Sequence, residues 1–217
     1  MNILLVIIAA TAIFSYMGLN NIALFDKYKF SVSAISQRKE YIRLISSGFL
    51  HGDFMHLLFN MMTLYFFGPV IINTFGDLGF LITYLGSIVL GNLFSLYLYN
   101  KQPWYSAIGA SGGVSGILFA AIAIYPQIGI GMFFIPIRIP GFIFGLLYFG
   151  YSVYMMLNPR QYDNIGHAAH LGGAFFGLVY ALMVVPQAAI HNGLYIGIMA
   201  LPLIYLCYEL FVNKKIK

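Results

Sequence analysis

Ser111 and His170 are the two residues whose types and settings could do chemistry together. Ser111 lies at the start of an apolar segment, in the stretch Gly109-Ala110-Ser111-Gly112-Gly113. His170 lies in a later apolar segment, within His167-Ala168-Ala169-His170-Leu171-Gly172-Gly173. A serine hydroxyl and an imidazole are the two parts of a nucleophile and base pair. Both side chains are costly in lipid unless they face protein or water, so we expect hydrolysis inside the bilayer or at its edge.

The position of Ser111 near the first turn of its segment favours it as the nucleophile. The first N–H groups of a helix are unpaired and the helix dipole is positive there, which would stabilise an oxyanion. Ser115 repeats the glycine–serine pattern one turn deeper, where water is scarcer; we expect it to bond a carbonyl one turn back or to pack against a helix. The alternative for Ser111 is a helix cap between packing glycines.

Glycines accompany both residues in a pattern typical of close helix packing. Gly109 and Gly112 flank the serine, and Gly166, His170, Gly173 and Gly177 follow one narrow face of the later helix. Such a stripe lets another helix come near and would bring the imidazole to the hydroxyl. Two alternatives stay open: a purely packing His170, and His167 as the base. Asp163 is about 10 Å from His170 along a helix, too far to orient it, so we expect a dyad without a carboxylate.

A third polar cluster occurs at the start of the second apolar segment. It contains His51, His56 and Asn60, of which the last two are neighbours on one helix face. Both could donate hydrogen bonds to an oxyanion, together with the N–H of Ser111. Zinc bound by His56, His167 and His170 is the alternative, but no acidic residue or H-E-x-x-H motif accompanies them. We predict neither a metal nor any other cofactor.

The composition indicates a polytopic membrane protein with an all-α fold. Of 217 residues, 61% are hydrophobic and 8% are charged, whereas soluble domains carry about 25% charged residues. A membrane-spanning helix needs about 20 apolar residues. By that measure we predict seven spans, at residues 2–21, 54–74, 78–99, 110–126, 139–157, 165–186 and 191–212.

Residues 25–53, between the first two spans, hold eight of the 17 charged residues and several aromatic side chains. This mixture favours a segment in the membrane interface; a surface loop with snorkelling lysines is the alternative. The net charge of +5 indicates contact with membrane lipids and no role with nucleic acid. Ten of the eleven Lys and Arg residues fall on one side of the predicted bundle, and only Arg138 is opposite.

Taken together, these motifs resemble the rhomboid family of intramembrane serine proteases. The matching stretches are His56-x-x-x-Asn60, Gly109-Ala110-Ser111-Gly112, Ala169-His170-Leu171-Gly172-Gly173 and the approach Arg43-Leu44-Ile45-Ser46-Ser47-Gly48-Phe49-Leu50-His51. The chain departs from the family in having Ile42 where members often have tryptophan before the arginine. The resemblance covers residues 1–186 and implies a six-helix catalytic core, with residues 187–217 as an added C-terminal span and basic tail.

The resemblance implies a Ser111–His170 dyad, oxyanion contacts from His56 and Asn60, and 25–53 as a half-submerged loop beside the site. It implies transmembrane proteins as substrates, cut at segments rich in small, helix-destabilising residues. We expect a multi-pass protein of a bacterial inner membrane, with the site facing outward although the charge rule favours the opposite orientation. Two other functions stay open: a non-catalytic, client-binding protein of the same fold, and a small transporter. The sequence does not indicate an oligomeric state.

Overall fold

The computed structural model describes residues 2–132, 135–161, 163 and 165–213; the predicted basic tail at Lys214, Lys215 and Lys217 lies outside them. The helices are α1 (Ile3–Asn20), α2 (Ile22–Tyr28), α3 (Val32–Arg38), α4 (Arg43–Ser46), α5 (Phe54–Leu98), α6 (Ser111–Ile124), α7 (Gly141–Leu157), α8 (His167–Val184) and α9 (Pro186–Phe211). The strands are β1 (Phe30–Ser31), β2 (Ser106–Ala107), β3 (Gly129–Met132) and β4 (Ile135–Pro140). The predicted all-α membrane bundle is confirmed.

The long helix α5 is two antiparallel helices joined at Gly76. Gly76 has φ of +73°, in the left-handed region that favours glycine. A methyl group on Gly68 would lie 3.4 Å from a ring carbon of Phe80. Residues 12 apart in a straight helix would be about 18 Å apart, so the chain reverses at Gly76. The two halves, 54–75 and 77–98, correspond to the second and third predicted spans.

The serine helix α6 is short and central. Among the described residues, α1, α5, α8 and α9 are long and apolar enough to cross a membrane, whereas α6 and α7 are shorter. Twelve of the 14 residues of α6 are buried. Its length is about 21 Å, against about 30 Å for a hydrocarbon core. An upright α6 is therefore too short to reach both surfaces of such a core.

Glycines bring α6, α8 and the second half of α5 together at backbone distance. A methyl group on Gly173 would be 2.1 Å from the Gly112 carbonyl oxygen, and one on Gly177 would be 2.0 Å from the Gly116 oxygen. One on Gly91 would be 2.3 Å from the carbonyl oxygen of Ala169. No side chain fits at these positions, so the packing of the three helices depends on glycine.

Residues 25–53 fold onto the bundle through the short helices α2, α3 and α4, a 3-10 turn at Ser47–Phe49 and the strand β1, none of which the sequence predicted. Strand β1 pairs with β2, Phe30 opposite Ala107, and Phe30 belongs to a small buried cluster of its own. The Arg43 guanidinium is buried and donates to Glu40 Oε2 at 2.6 Å, and to the carbonyl oxygens of Asp26 and Lys29 at 2.7 and 2.8 Å. This arginine therefore holds the segment together. Its place in the membrane interface stays a prediction.

The last helix, α9, packs mainly on α7 and is also bonded to the far end of α6. Asn192 Nδ2 lies 3.0 Å from the carbonyl oxygens of both Ala123 and Ile124 and donates to them. Carbonyls in the last turn of a helix lack partners within it, so Asn192 satisfies groups that would otherwise be unpaired. The hairpin of β3 and β4 lies at this end of the bundle, before α7, and was likewise not predicted.

We predict that Gly177→Ala lowers the free energy of unfolding by about 1–3 kcal/mol, because the new methyl group would overpack the α6–α8 contact. The measurement is thermal or denaturant unfolding in detergent. Gly193→Ala is the matched control, since a methyl group there has nothing within 4 Å. Equal stability of the two variants would contradict the proposed closeness of the helices.

Candidate active site

The structure brings the Ser111 hydroxyl and the His170 imidazole into direct contact. Ser111 is the first residue of α6, and His170 lies in the first turn of α8. The Oγ of Ser111 is 2.6 Å from Nε2 of His170. The nearby contact of Gly112 with Gly173 sets the two helices at the spacing that this bond needs. An imidazole at this distance can accept the hydroxyl proton, which is the geometry of a general base and a nucleophile.

The turn before Ser111 presents the start of α6 to the same point. Gly109 has φ of +119°, which L side chains rarely adopt. Its N–H donates to the Ser47 carbonyl at 3.0 Å. Because α6 begins at Ser111, the first N–H groups of the helix point outward from its end without helical partners. They are available to a negatively charged oxygen that develops beside the Ser111 hydroxyl.

His56 and Asn60 lie on the first half of α5, beside this turn. A methyl group on Gly109 would be 2.8 Å from Nε2 of His56 and 3.6 Å from the Ser111 Oγ. His56 therefore borders the space next to the hydroxyl. Asn60 is buried one turn further along α5, and its amide donates to the His56 carbonyl at 2.9 Å. That bond uses one of its two N–H groups and leaves the other for a further acceptor.

His167 has a different partner from His170. Its Nε2 lies 3.0 Å from Asp163 Oδ2, and its side chain is nearly buried. The structure thus puts His170 at Ser111 and His167 at Asp163. Asp163 accepts from His167 and from the N–H of Ile165, and it is not a hydrogen-bond partner of His170.

Ser115, which is buried, and Tyr148, which is partly buried, form a pair next to His170. Their oxygens are 2.7 Å apart, and the Tyr148 ring stacks on His170 with centroids 6.2 Å apart and planes inclined by 23°. Ser115 was expected to bond a carbonyl one turn back, and its partner is instead a tyrosine on α7. Tyr148 is one of three tyrosines in α7, and nothing in the sequence distinguishes it from the other two, so its contact was not predicted.

Two of the five glycines predicted to pack at the site have other surroundings. Gly166 precedes α8 as its N-cap residue, and a methyl group there would meet only the Ala169 methyl, at 3.8 Å. Gly166 is not part of the packing face of α8, because α8 begins at His167, one residue after the first glycine of the predicted stripe. Gly109 lies outside α6 and faces the His56 ring. Gly112, Gly173 and Gly177 do lie at the contact between α6 and α8.

His51 and Ser15 are buried next to the site and were given no role from the sequence. His51 Nδ1 is 2.8 Å from the Ser15 Oγ, and the N–H of Ala110 donates to His51 Nε2 at 3.3 Å. The ring of His51 meets that of His56 edge-on, with centroids 4.8 Å apart. His51 had been noticed only as part of the polar cluster before α5, and nothing in the sequence pointed to Ser15 in α1.

A polar cavity of about 440 Å³ opens beside His56. It is lined by Gly52, Asp53, His56, Tyr105, Ser106, Ala107, Ile108, Asp163, Ile165 and Gly166. Its lining includes the polar residues Asp53, His56, Ser106 and Asp163, so it can hold water beside His56. Within the described part of the chain, no three His, Cys, Asp or Glu side chains are grouped as metal ligands would be.

Comparison with known proteins identifies the fold. The rhomboid domain family matches residues 38–187, which include both Ser111 and His170. The chain belongs to the rhomboid family. Rhomboids are generally intramembrane serine proteases and act on transmembrane substrates within membranes.

This rhomboid is similar to Rhomboid protein 1, mitochondrial, of Saccharomyces cerevisiae, with 32% identity over 64% of this chain and 40% of the relative. RHOMBOID-like protein 12, mitochondrial, of Arabidopsis thaliana is 31% identical over 69% of this chain and 46% of the relative. The Bacillus subtilis rhomboid YdcA is 39% identical over 36% of this chain and 38% of the relative. The matches thus span less than half the length of each relative.

The relatives come from mitochondria and from a bacterium. Together with the apolar helices, they fit an integral membrane protein. The expected bacterial inner membrane is not supported by them, because the Saccharomyces and Arabidopsis relatives are both mitochondrial.

For the Ser115–Tyr148 pair we predict non-additive effects of substitution. Tyr148→Phe leaves the Ser115 hydroxyl buried without its partner, which costs about 1–3 kcal/mol in free energy of unfolding. Ser115→Ala should cost a similar amount. The double variant should be less destabilised than the sum, because both polar groups are removed together. The measurement is a double-mutant cycle by denaturant unfolding in detergent, and strict additivity would show that the two oxygens do not interact.

Proposed function

We propose that this rhomboid is an intramembrane serine endopeptidase that cleaves transmembrane segments of other membrane proteins through Ser111 and His170. The observation that carries the proposal is the 2.6 Å hydrogen bond between Ser111 Oγ and His170 Nε2. The two residues are 59 apart in the chain, on helices whose closest contacts are made at glycines. A packing histidine and a capping serine would not need this mutual bond.

In the proposed reaction, His170 Nε2 takes the proton of the Ser111 hydroxyl as Oγ attacks the scissile carbonyl carbon. The resulting tetrahedral oxyanion collapses, the C–N bond breaks, and His170 gives its proton to the leaving amine. This leaves an acyl group on Ser111. Water then attacks that ester with His170 again as the base, and collapse of the second intermediate releases the carboxylic product and restores the hydroxyl.

We assign oxyanion stabilisation to the Ser111 N–H, His56 and Asn60. The N–H lies at the positive end of α6, and the His56 ring borders the space beside the Ser111 hydroxyl. Asn60 keeps one amide N–H beyond its bond to the His56 carbonyl. Fixed donors in a site with little water stabilise developing charge more than the same donors would in solution.

Water for the second half of the reaction would come from the polar cavity that His56 helps to line. A peptide bond inside a helix is shielded, so the substrate must unwind before its carbonyl reaches Ser111. Segments rich in small, helix-destabilising residues unwind at the least cost, which favours them as substrates. The inner membrane of a bacterium as its location stays a prediction.

We predict that Ser111→Ala and His170→Ala each abolish cleavage of a model transmembrane substrate in proteoliposomes, while both variants still insert and fold. His191→Ala, an exposed histidine on α9, is the control and should cleave like the wild type. Loss of cleavage in Ser115→Ala with retained cleavage in Ser111→Ala would show that Ser115 is the nucleophile. Substrate binding without cleavage by the wild type would favour the client-binding function.

Removing one side-chain donor should slow the reaction and leave the nucleophile intact. We predict that His56→Ala and Asn60→Ala each lower kcat by about 10²–10³, the usual effect of losing one oxyanion donor. The measurement is steady-state cleavage, with the folded fraction checked by thermal unfolding. Unchanged kcat in both variants would remove these residues from the mechanism.

A further inference from the structure

A buried chain of three hydrogen bonds joins α1 to the turn before Ser111. The Ser15 hydroxyl donates to the Phe49 carbonyl at 2.8 Å, and its oxygen is 2.8 Å from His51 Nδ1. The Ala110 N–H donates to His51 Nε2 at 3.3 Å. Ser15, His51 and Ala110 each have no exposed surface. Since none of these groups is exposed to solvent, these hydrogen bonds satisfy polar groups that would otherwise be buried without partners.

The groups at the two ends of this series of hydrogen bonds, the Ala110 N–H and the Phe49 carbonyl, determine which nitrogen of His51 carries the proton. A backbone N–H can only donate, so His51 Nε2 must be an acceptor without a proton. The neutral ring then carries its proton on Nδ1 and donates it to the Ser15 oxygen. Ser15 in turn gives its own hydrogen to the Phe49 carbonyl, which can only accept. One neutral tautomer of His51 satisfies every member.

The same ring lies between the turn and the proposed oxyanion donor. His51 contacts His56 edge-on, with centroids 4.8 Å apart. Gly109, next to Ala110, is held by the carbonyl of Ser47 at 3.0 Å. The backbone just before the nucleophile is thus bonded at two successive residues to the segment 47–51.

We propose that neutral His51 is a positioning residue for Ser111, acting through the Ala110 N–H to fix the turn from which α6 begins. This inference rests on the proposed function. His51 is not a catalytic residue, because its ring contacts Ala110 and His56 and not the reacting oxygen. We expect His51 to affect how the Ser111 hydroxyl and the first N–H groups of α6 are oriented.

The surroundings of His51 keep it in the required state. Burial, with a smaller contribution from His56, lowers the pKa of His51 to about 3, and Asp53 acts in the opposite direction. Since the folded-state pKa lies below that of a free histidine, the neutral form persists at neutral and mildly acidic pH. The acceptor for the Ala110 N–H is therefore present wherever the enzyme would work.

The test is to measure kcat and KM with a model transmembrane substrate for four variants of the full chain. His51→Leu fills the space but has no acceptor, and we expect kcat to fall about 10- to 100-fold with little change in KM. His51→Gln restores an acceptor for Ala110 and should recover part of that loss. Ser15→Ala keeps the imidazole but removes the oxygen that fixes its tautomer, and should give an intermediate loss. His191→Gln, on the exposed face of α9, should match the wild type.

Thermal unfolding of each variant separates positioning from stability. If the loss of kcat follows only the folded fraction, or if His51→Leu and His51→Gln lose equally, His51 is a packing residue and the inference is wrong. Histidine 15N NMR tests the inference even if His51→Leu folds poorly, because it does not need that variant. The wild type should show His51 as the Nδ1–H tautomer, and Ser15→Ala should show a mixture of the two tautomers. A wild type that cleaves alongside a fully active His51→Leu overturns this inference alone, whereas a wild type that does not cleave overturns the proposed function itself.

Discussion

The backbone contact between α6 and α8 is the constraint on which the rest of the structure depends. Gly112 faces Gly173, and Gly116 faces Gly177, at distances that leave no space for a side chain. Any larger residue would separate the helices, and the 2.6 Å bond between Ser111 and His170 would lengthen with them. In lipid there is little hydrophobic force between helices, so this close packing is itself a main source of their association.

The short length of α6 has a consequence for chemistry. A helix of about 21 Å leaves roughly a third of a 30 Å hydrocarbon core unfilled. The polar cavity beside His56 lies at the serine end of α6. At the other end Asn192 of α9 takes the last carbonyl groups. This arrangement is consistent with the proposed function, in which the substrate carbonyl and water meet at the serine end of α6.

The segment between α1 and α5 supports the site from the side. Asn92 of α5 donates to the Leu44 carbonyl at 2.8 Å and to the Ser47 hydroxyl at 3.0 Å. The Ser47 carbonyl in turn holds Gly109. Arg43 anchors the outer part of the same segment through Glu40, whose pKa the bonds from Arg38 and Arg43 lower to about 2. A charged surface segment and a membrane helix thus jointly fix the turn that presents Ser111.

The long apolar helices could be predicted from the sequence because apolar length is a local signal, and the glycine spacing on two of them indicated the pairing of Ser111 with His170. The helix α5 breaks at Gly76, which lies in the gap between the predicted spans 54–74 and 78–99. The short helices of 25–53 and strands β1 and β2 could not be predicted, since their residues are held by contacts such as Phe30 with Ala107, far apart in the chain. The roles of Tyr148 and His51 likewise depend on which distant residues they meet.

The most direct test of the central claim is the site of reaction with a fluorophosphonate, mapped by mass spectrometry in wild type and in His170→Ala. We predict a single adduct on the Ser111 oxygen in the wild type and none in a folded His170→Ala variant, because the hydroxyl is activated only through the imidazole. An adduct on Ser115, or equally fast labelling of Ser111 without His170, would contradict the account.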